Sequence, residues 1–267
     1  MRDARSPARR PGCDSVKKLY LIVRCGILWV LGFTHFFIGA SLLVLLAIFV
    51  DPRKTDILER LFARNILRLA GVKFEVRYAP GFDRQRTSLF VSNHVNIFDP
   101  FVVYSAIPQF VRGWELEKHF RIPFYGWMMK RLGNVPVSSS NTAADLKKLL
   151  KLTKAALDDG VSLVIFAEGG RTLDGRVRPF QDGIFRMARQ LQYPIVPMSI
   201  VGSFEFHRKG SRMLYPSKIA VHIHDTIETK GLQLDKEQAE ALRERVQQIV
   251  SAPVEEAQAG PRLPCLP

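Results

Sequence analysis

Between Cys25 and Val50 the chain runs for 26 residues without an Asp, Glu, Lys or Arg. About 20 apolar residues suffice for a helix to cross a bilayer, so this run must either enter lipid or be sheathed by protein. A secretory leader fits poorly, because the run exceeds the usual apolar core of about 7–15 residues and passes Gly39, Ala40 and Ser41 without a good cleavage site. Both flanks are basic, with Arg2, Arg5, Arg9, Arg10, Lys17, Lys18 and Arg24 before the run and Arg53, Lys54, Arg60, Arg64 and Arg68 after it. Both therefore ask for anionic cytoplasmic lipid, which a segment dipping into one leaflet, or lying tilted within it, would satisfy without crossing. In the next stretch Ile57, Leu61, Phe62, Ile66, Leu67 and Leu69 recur at helical spacing, with Arg60, Arg64 and Arg68 in a row four apart. That pattern suits a basic helix on a lipid surface or an ordinary globular surface helix.

The 267 residues, 47% hydrophobic, suffice for one sizeable core, and a formal charge of +14 asks for a polyanionic partner. Anionic lipid is expected rather than nucleic acid, since the positive charge gathers around the apolar segment and no nucleic-acid-binding module is recognisable. Cys13, Cys25 and Cys265 are scattered, with no Cys-x2-Cys pair and no His cluster at ligand spacing. Neither a disulfide framework nor a metal site is expected, and the compartment is expected to be reducing.

Residues 1–15 read as a disordered basic arm, 16–71 as a membrane-associated two-helix element (19–50 and 55–70), 72–251 as a folded domain and 252–267 as a flexible tail. In the domain, strand patterns at 73–78, 88–91, 109–112, 135–138, 162–166, 195–201 and 218–224 are interleaved with helical patterns at 100–106, 125–132, 142–157, 184–191 and 236–250. The expected class is α/β, a mixed sheet of about seven strands flanked by helices.

Two strand ends carry polar clusters. After the apolar run Ser88–Val91 come Ser92, Asn93, His94, Val95, Asn96, Ile97, Phe98, Asp99 and Pro100. His94 and Asp99, five apart, cannot meet on a helix, where five residues advance a side chain by about 500°, nor on a strand, where an odd offset separates faces. Only a strand that turns into a helix brings them together, although Asp99 before Pro100 also reads simply as a helix N-cap. After Ser162–Phe166 come Ala167, Glu168, Gly169, Gly170, Arg171 and Thr172. The glycines let backbone approach a ligand and Arg171 offers a fork for phosphate or carboxylate, though a Gly-Gly turn with a surface ion pair looks the same.

Here the chain resembles the membrane-bound glycerolipid acyltransferases of the 1-acylglycerol-3-phosphate acyltransferase family, over most of residues 16–225. His94 to Asp99 matches the family's Asn-His-x4-Asp block. Phe166 to Thr172, continuing through Asp174, Gly175, Pro179, Phe180 and Gly183, resembles its Glu-Gly-Thr-Arg block. Pro194 to Ile200, around Pro197, resembles its last block, and Glu115, Leu116, Pro123, Gly126 and Gly133 fall on its landmarks. The chain departs from the pattern with Asn96 for a usual Ser, Gly170 for a usual Thr, and Ser139 where relatives carry an arginine thought to contact the acceptor phosphate. For that charge Lys130, Arg131 and Lys148 are the substitutes at hand.

The resemblance implies an enzyme that moves a fatty acyl group from acyl-CoA or acyl carrier protein to the free hydroxyl of 1-acyl-sn-glycerol-3-phosphate, giving phosphatidate, with no cofactor. It implies His94 as general base, Asp99 as the group that orients it, and Glu168, Gly169, Gly170 and Arg171 as the substrate-binding loop, with Asn93, Thr172 and Pro197 in support. Arg171 would hold the acceptor phosphate and Glu168 would order the loop and its arginine. No Gly-x-Ser-x-Gly elbow suggests a covalent intermediate. Partners would be membrane lipid, a lysophospholipid and the acyl donor's carrier, and the catalytic domain would face the cytoplasm from the inner or cytoplasmic membrane. The alternatives are the same chemistry on another lysolipid, and an inactive membrane-anchored binding protein. His35 is expected to be packed or interfacial, His119 and His207 solvated, and His222 and His224 receive no role.

Overall fold

A computed structural model describes residues 11–140, 142–231 and 235–259. Seven strands form one sheet: β1 (Val72–Tyr78), β2 (Leu89–Ser92), β3 (Val111–Leu116), β4 (Val135–Val137), β5 (Ser162–Phe166), β6 (Ile195–Val201) and β7 (Ser217–Ile223). Their order is β1-β7-β6-β2-β5-β3-β4. All neighbouring pairs are parallel except β6 and β7, so the sheet is mixed. The expected α/β class with seven strands is thus the observed one.

Burial alternates along the central strands and splits the core in two. Phe90, Val164, Val196 and Met198 point to the face covered by α1 (Pro11–Phe49), α2 (Asp56–Leu69), α3 (Asp99–Ala106) and α4 (Tyr125–Arg131). Leu89, Val91, Leu163, Ile165 and Ile195 point to the face covered by α5 (Ala143–Asp158), α6 (Asp182–Leu191) and α8 (Lys236–Ala259). A short α7 (Ser203–Phe206) follows β6. The period of two in each strand is what lets one sheet serve both layers. α5 starts on a reciprocal cap in which Asp145 N–H donates to the Thr142 hydroxyl and the Asp145 carboxylate accepts from Thr142 N–H.

Four expectations are corrected. The basic arm was placed at 1–15, but α1 already begins at Pro11, a residue suited to the first helical position; residues 1–10 lie outside the described residues. The tail was placed at 252–267, yet α8 continues to Ala259 through Pro253, because Leu242, Val246, Val250 and Val254 form one buried stripe at four-residue spacing whose packing outweighs the proline; residues 260–267 lie outside the described residues. The third strand lies at 111–116 rather than 109–112, since its partners on β5 and β4 face those residues.

The fourth concerns the arginine row of α2. Arg60 is buried and turned inward, donating to Asp56 at 2.6 Å, to the Gln109 carbonyl at 2.7 Å and to the Ile107 carbonyl. Arg64 donates to the Ser105 carbonyl at 3.3 Å. Beside them Arg112 grips Glu59 with two bonds of 2.9 and 3.0 Å, both side chains buried, and lies over the Phe110 ring. Arg60 and Arg64 therefore tie α2 to the sheet domain, while Arg68 stays exposed and, among the described residues, reaches only Asn65 of its own helix. The residues that α2 leaves exposed are Ile57, Leu58, Leu61 and Leu69 together with Arg64 and Arg68.

α1 carries a stretch, Lys17–Phe49, of mean hydropathy 2.1, long and apolar enough to cross a membrane and only 11% buried in the window that defines it. It nevertheless lies along the domain. Arg24 and Trp29 donate to the carbonyls of Leu214 and Arg212, His35 stacks on Phe62, and Phe36 stacks on Tyr125. Gly39 lets α2 come close, since a methyl group there would sit 2.4 Å from the Phe62 ring.

Candidate active site

β2 ends between β5 and β6, and all three run parallel, so their C-terminal loops emerge side by side. This is where open α/β sheets gather functional groups. The loop after β2 reverses at once into α3, and the reversal brings Asp99 behind His94. The His94 Nδ1–H donates to Asp99 Oδ2 at 2.8 Å, with the His94 side chain 19% exposed and the carboxylate fully buried. That same oxygen accepts the backbone N–H groups of Val95 (2.5 Å) and Asn96 (2.9 Å). Asp99 is the first residue of α3, but its carboxylate turns back to the loop and makes no capping bond; Asn96 Oδ1 takes the Phe98 N–H instead. With Nδ1 committed as donor, Nε2 carries the lone pair and has no hydrogen-bond partner among the described residues.

The two neighbouring loops fix this pair from both sides. From β6, past Gly202, the Ser203 hydroxyl donates to Asp99 Oδ1 at 2.7 Å, and Asn96 Nδ2 donates to both the hydroxyl and the carbonyl of Ser203. From β5, buried Glu168 accepts the His94 backbone N–H at 2.8 Å, and Thr172 N–H donates to the His94 carbonyl at 2.9 Å. The Phe166 ring stacks on the imidazole, centroids 4.2 Å apart. Asn93 locks onto β6 through two bonds with Ile200.

Known proteins resemble the chain in sequence and in fold. A family model described as Acyltransferase matches residues 73–201, a span that holds the whole β2–β5 constellation. Over that span, just under half of its length, the chain is similar to the acyltransferase family. It is 28% identical over 171 residues to the 1-acyl-sn-glycerol-3-phosphate acyltransferase of Limnanthes alba, covering 64% of this chain and 60% of that protein. It is 32% identical over 143 residues to the chloroplastic 1-acyl-sn-glycerol-3-phosphate acyltransferase BAT2 of Brassica napus, covering 52% of this chain and 40% of that one. The matched segments thus span 60% and 40% of those relatives' length, less than two thirds of either. The fold is that of the 1-acyl-sn-glycerophosphate (LPA) acyltransferase PlsC from Thermotoga maritima, with a TM-score of 0.76 over 92% of this chain and 99% of that one at 21% identity.

At this site Glu168 corrects one expectation. Its second oxygen accepts the backbone N–H of Arg178 at 3.0 Å, so it stitches two stretches of main chain and makes no bond to Arg171. Burial pushes its carboxyl up to about 7, against the pull of the two N–H donors. Arg171 is half-buried, and its guanidinium makes no hydrogen bond or ion pair among the described residues. Gly169 sits at φ +65°, a conformation that favours glycine. Gly170 leaves room for the exposed Arg178 guanidinium, which lies 3.4 Å from where a methyl group at 170 would project. Pro197 is buried in β6, in register with Val91, and belongs to the sheet rather than the loop. Ser139 is exposed.

The histidines expected to be solvated are not. His207 is 3% exposed, packs against Trp29 and Phe98, and shares a 3.0 Å contact between Nε2 and the Ser211 carbonyl. Burial holds its imidazole below the ordinary value, and the Arg171 charge acts in the same direction. His119 is half-buried with Nδ1 on Glu115, whose other oxygen takes the Tyr125 hydroxyl at 2.7 Å. His224 meets the Ser199 hydroxyl at 2.8 Å. Ser203, Phe166 and Arg178 were missed in the sequence; the one usable signal for Ser203 was a Gly-Ser pair at the end of a strand, a common turn.

Proposed function

We propose that the protein transfers a fatty acyl group from a thioester donor, acyl-CoA or acyl carrier protein, to the free hydroxyl of 1-acyl-sn-glycerol-3-phosphate. The observation that carries this is the buried Asp99 holding His94 Nδ1 at 2.8 Å while Nε2 stays unbonded. Nε2 takes the proton of the acceptor hydroxyl as its oxygen forms a bond to the thioester carbonyl carbon. When the tetrahedral intermediate collapses, the C–S bond breaks and the same proton passes from Nε2 to the departing thiolate. Asp99 stabilises the imidazolium between the two steps. Arg171, whose guanidinium has no hydrogen bond or ion pair among the described residues, binds the acceptor phosphate, and Arg178 beside Gly170 adds charge to that rim.

On this reading α1 holds the site at a lipid surface, supported by its long apolar and largely exposed stretch. Its contacts with the domain run from Arg24 past Gly39 to Leu43, which suits a helix lying within one leaflet, with the catalytic domain on the cytoplasmic side where the basic flanks find anionic lipid. Exposed Ser139, uncharged at the position where the family resemblance expects an arginine, favours a second reading in which the same chemistry serves another lysolipid.

One assay addresses both. Vesicles carrying the intact protein or His94→Ala receive labelled acyl-CoA and a panel of lysolipids. Transfer lost by a factor of about 10³ or more in the variant, with lysophosphatidate the preferred acceptor, is the expected outcome. Equal transfer by both proteins overturns the mechanism, and preference for another headgroup establishes the second reading.

A further inference from the structure

The segment between β3 and α4 carries family landmarks, Pro123 and Gly126, that the mechanism leaves unused. It is built as a tight hook. Phe124 sits at φ 62° and ψ −57°, and Tyr125 N–H donates to the Pro123 carbonyl at 2.7 Å, closing a γ-turn of the rare hand. A bulky residue enters that region only under constraint. Gly126 supplies part of the constraint, because a methyl group there would lie 2.3 Å from the Phe120 carbonyl oxygen.

The hook presents apolar side chains outward. Ile122 is 46% exposed, Phe124 40% and Trp127 55%. They are continuous with the bare apolar flank of α1: the Phe124 ring meets Phe37 edge-on at 5.5 Å, in the middle of the uncharged run, and stands 5.1 Å from Trp127. In sequence they are flanked by Lys118 and Arg121 before and by Lys130 and Arg131 after. None of the four has an ion pair among the described residues. Exposed apolar side chains with such cations before and after them in the chain match the layering of an anionic membrane, hydrocarbon inside and phosphate above.

We propose that Ile122, Phe124 and Trp127 form a second membrane-inserting element, seated in the same leaflet as α1, with the flanking basic residues on anionic headgroups. This rests on the reading that α1 itself lies in lipid. Two attachment points, one along α1 and one at the hook, fix the tilt of the domain, where a single helix would leave it free to rotate.

The test uses the full chain with Trp29→Phe and Trp114→Phe, leaving Trp127 as the one tryptophan, in phosphatidylglycerol vesicles. Lipids brominated on the acyl chains are expected to halve Trp127 emission, about a twofold loss, with acrylamide in the water having little effect, as for a ring buried about 5–10 Å below the headgroups. If the double variant does not fold, the difference in quenching between the wild-type protein and Trp127→Phe gives the same readout. Protein that floats with the vesicles while Trp127 is quenched by acrylamide and untouched by bromine overturns the hook and leaves α1 in place. Shielding from both quenchers overturns it in favour of a second copy of the chain on that surface. Protein that fails to float overturns the membrane reading and the hook with it.

Discussion

Asp99→Asn separates the two services this carboxylate performs. Oδ2 receives three donors, His94 Nδ1–H and the N–H groups of Val95 and Asn96, whereas Oδ1 receives only the Ser203 hydroxyl. An asparagine therefore keeps its carbonyl oxygen toward the three donors and turns its amide toward Ser203 Oγ, which can accept. The loop and the tautomer survive; one hydroxyl proton loses its acceptor, at a cost of about 1 kcal/mol. The negative charge does not survive. Two unit charges about 4 Å apart at an effective dielectric near 20 attract by about 4 kcal/mol. Because Asp99 is fully buried, solvent screens little of this. If the imidazolium forms at the rate-limiting step, losing that attraction slows turnover by a factor of about 10³. The assay is kcat and KM for lysophosphatidate in vesicles, with the thermal midpoint measured on the same preparation. A large fall in kcat, a steady KM and a nearly unchanged midpoint are expected. A folded variant within tenfold of wild-type turnover would refute the charge argument.

Arg171→Ala is expected to raise the acceptor KM by about 10- to 100-fold, the worth of a charged hydrogen bond, with kcat largely kept; an unchanged KM would move the phosphate elsewhere. Arg112→Met leaves Glu59 buried without its partner and should cost about 3–5 kcal/mol, read as a lower thermal midpoint, while adding Glu59→Leu should restore part of it. Gly202→Ala puts a methyl group 2.1 Å from the Lys218 carbonyl oxygen at φ +83°, so it should lower both midpoint and kcat through displaced Ser203. For Glu168 the folded carboxyl lies above its ordinary 4.5, at about 7, so the folded state holds more protons between those values. Stability should therefore fall as pH rises through that window, with a steeper slope than in Glu168→Gln; equal slopes would show that the carboxyl is not shifted.

How much of this could be read from the sequence depended on how far apart the cooperating residues lie. His94 and Asp99 share one strand-turn-helix, so their awkward spacing was itself the signal. Ser203 is 104 positions from Asp99 and meets it only because β6 is the neighbour of β2, a fact of topology that no local pattern carries. Glu59 and Arg112, 53 positions apart, are joined in the same way. α2 misled for a different reason: it has apolar residues on two sides, Phe62 and Ile66 inward and Ile57 and Leu61 outward, so periodicity could not say where Arg60 would point. At the C-terminus, the tail expected from residue 252 is denied by the buried Val254, where α8 continues through Pro253.

The packing of α1 has a consequence for how the protein can be handled. Cys25, Ala40 and Leu43 are 0–4% exposed and join the same core as Phe62, Phe90 and Val102, while the opposite flank of the helix is bare. The helix is therefore a wall of the domain as well as its mooring. Trimming it away to obtain a water-soluble fragment would strip one side from the hydrophobic interior, and the remainder would need detergent for a new reason.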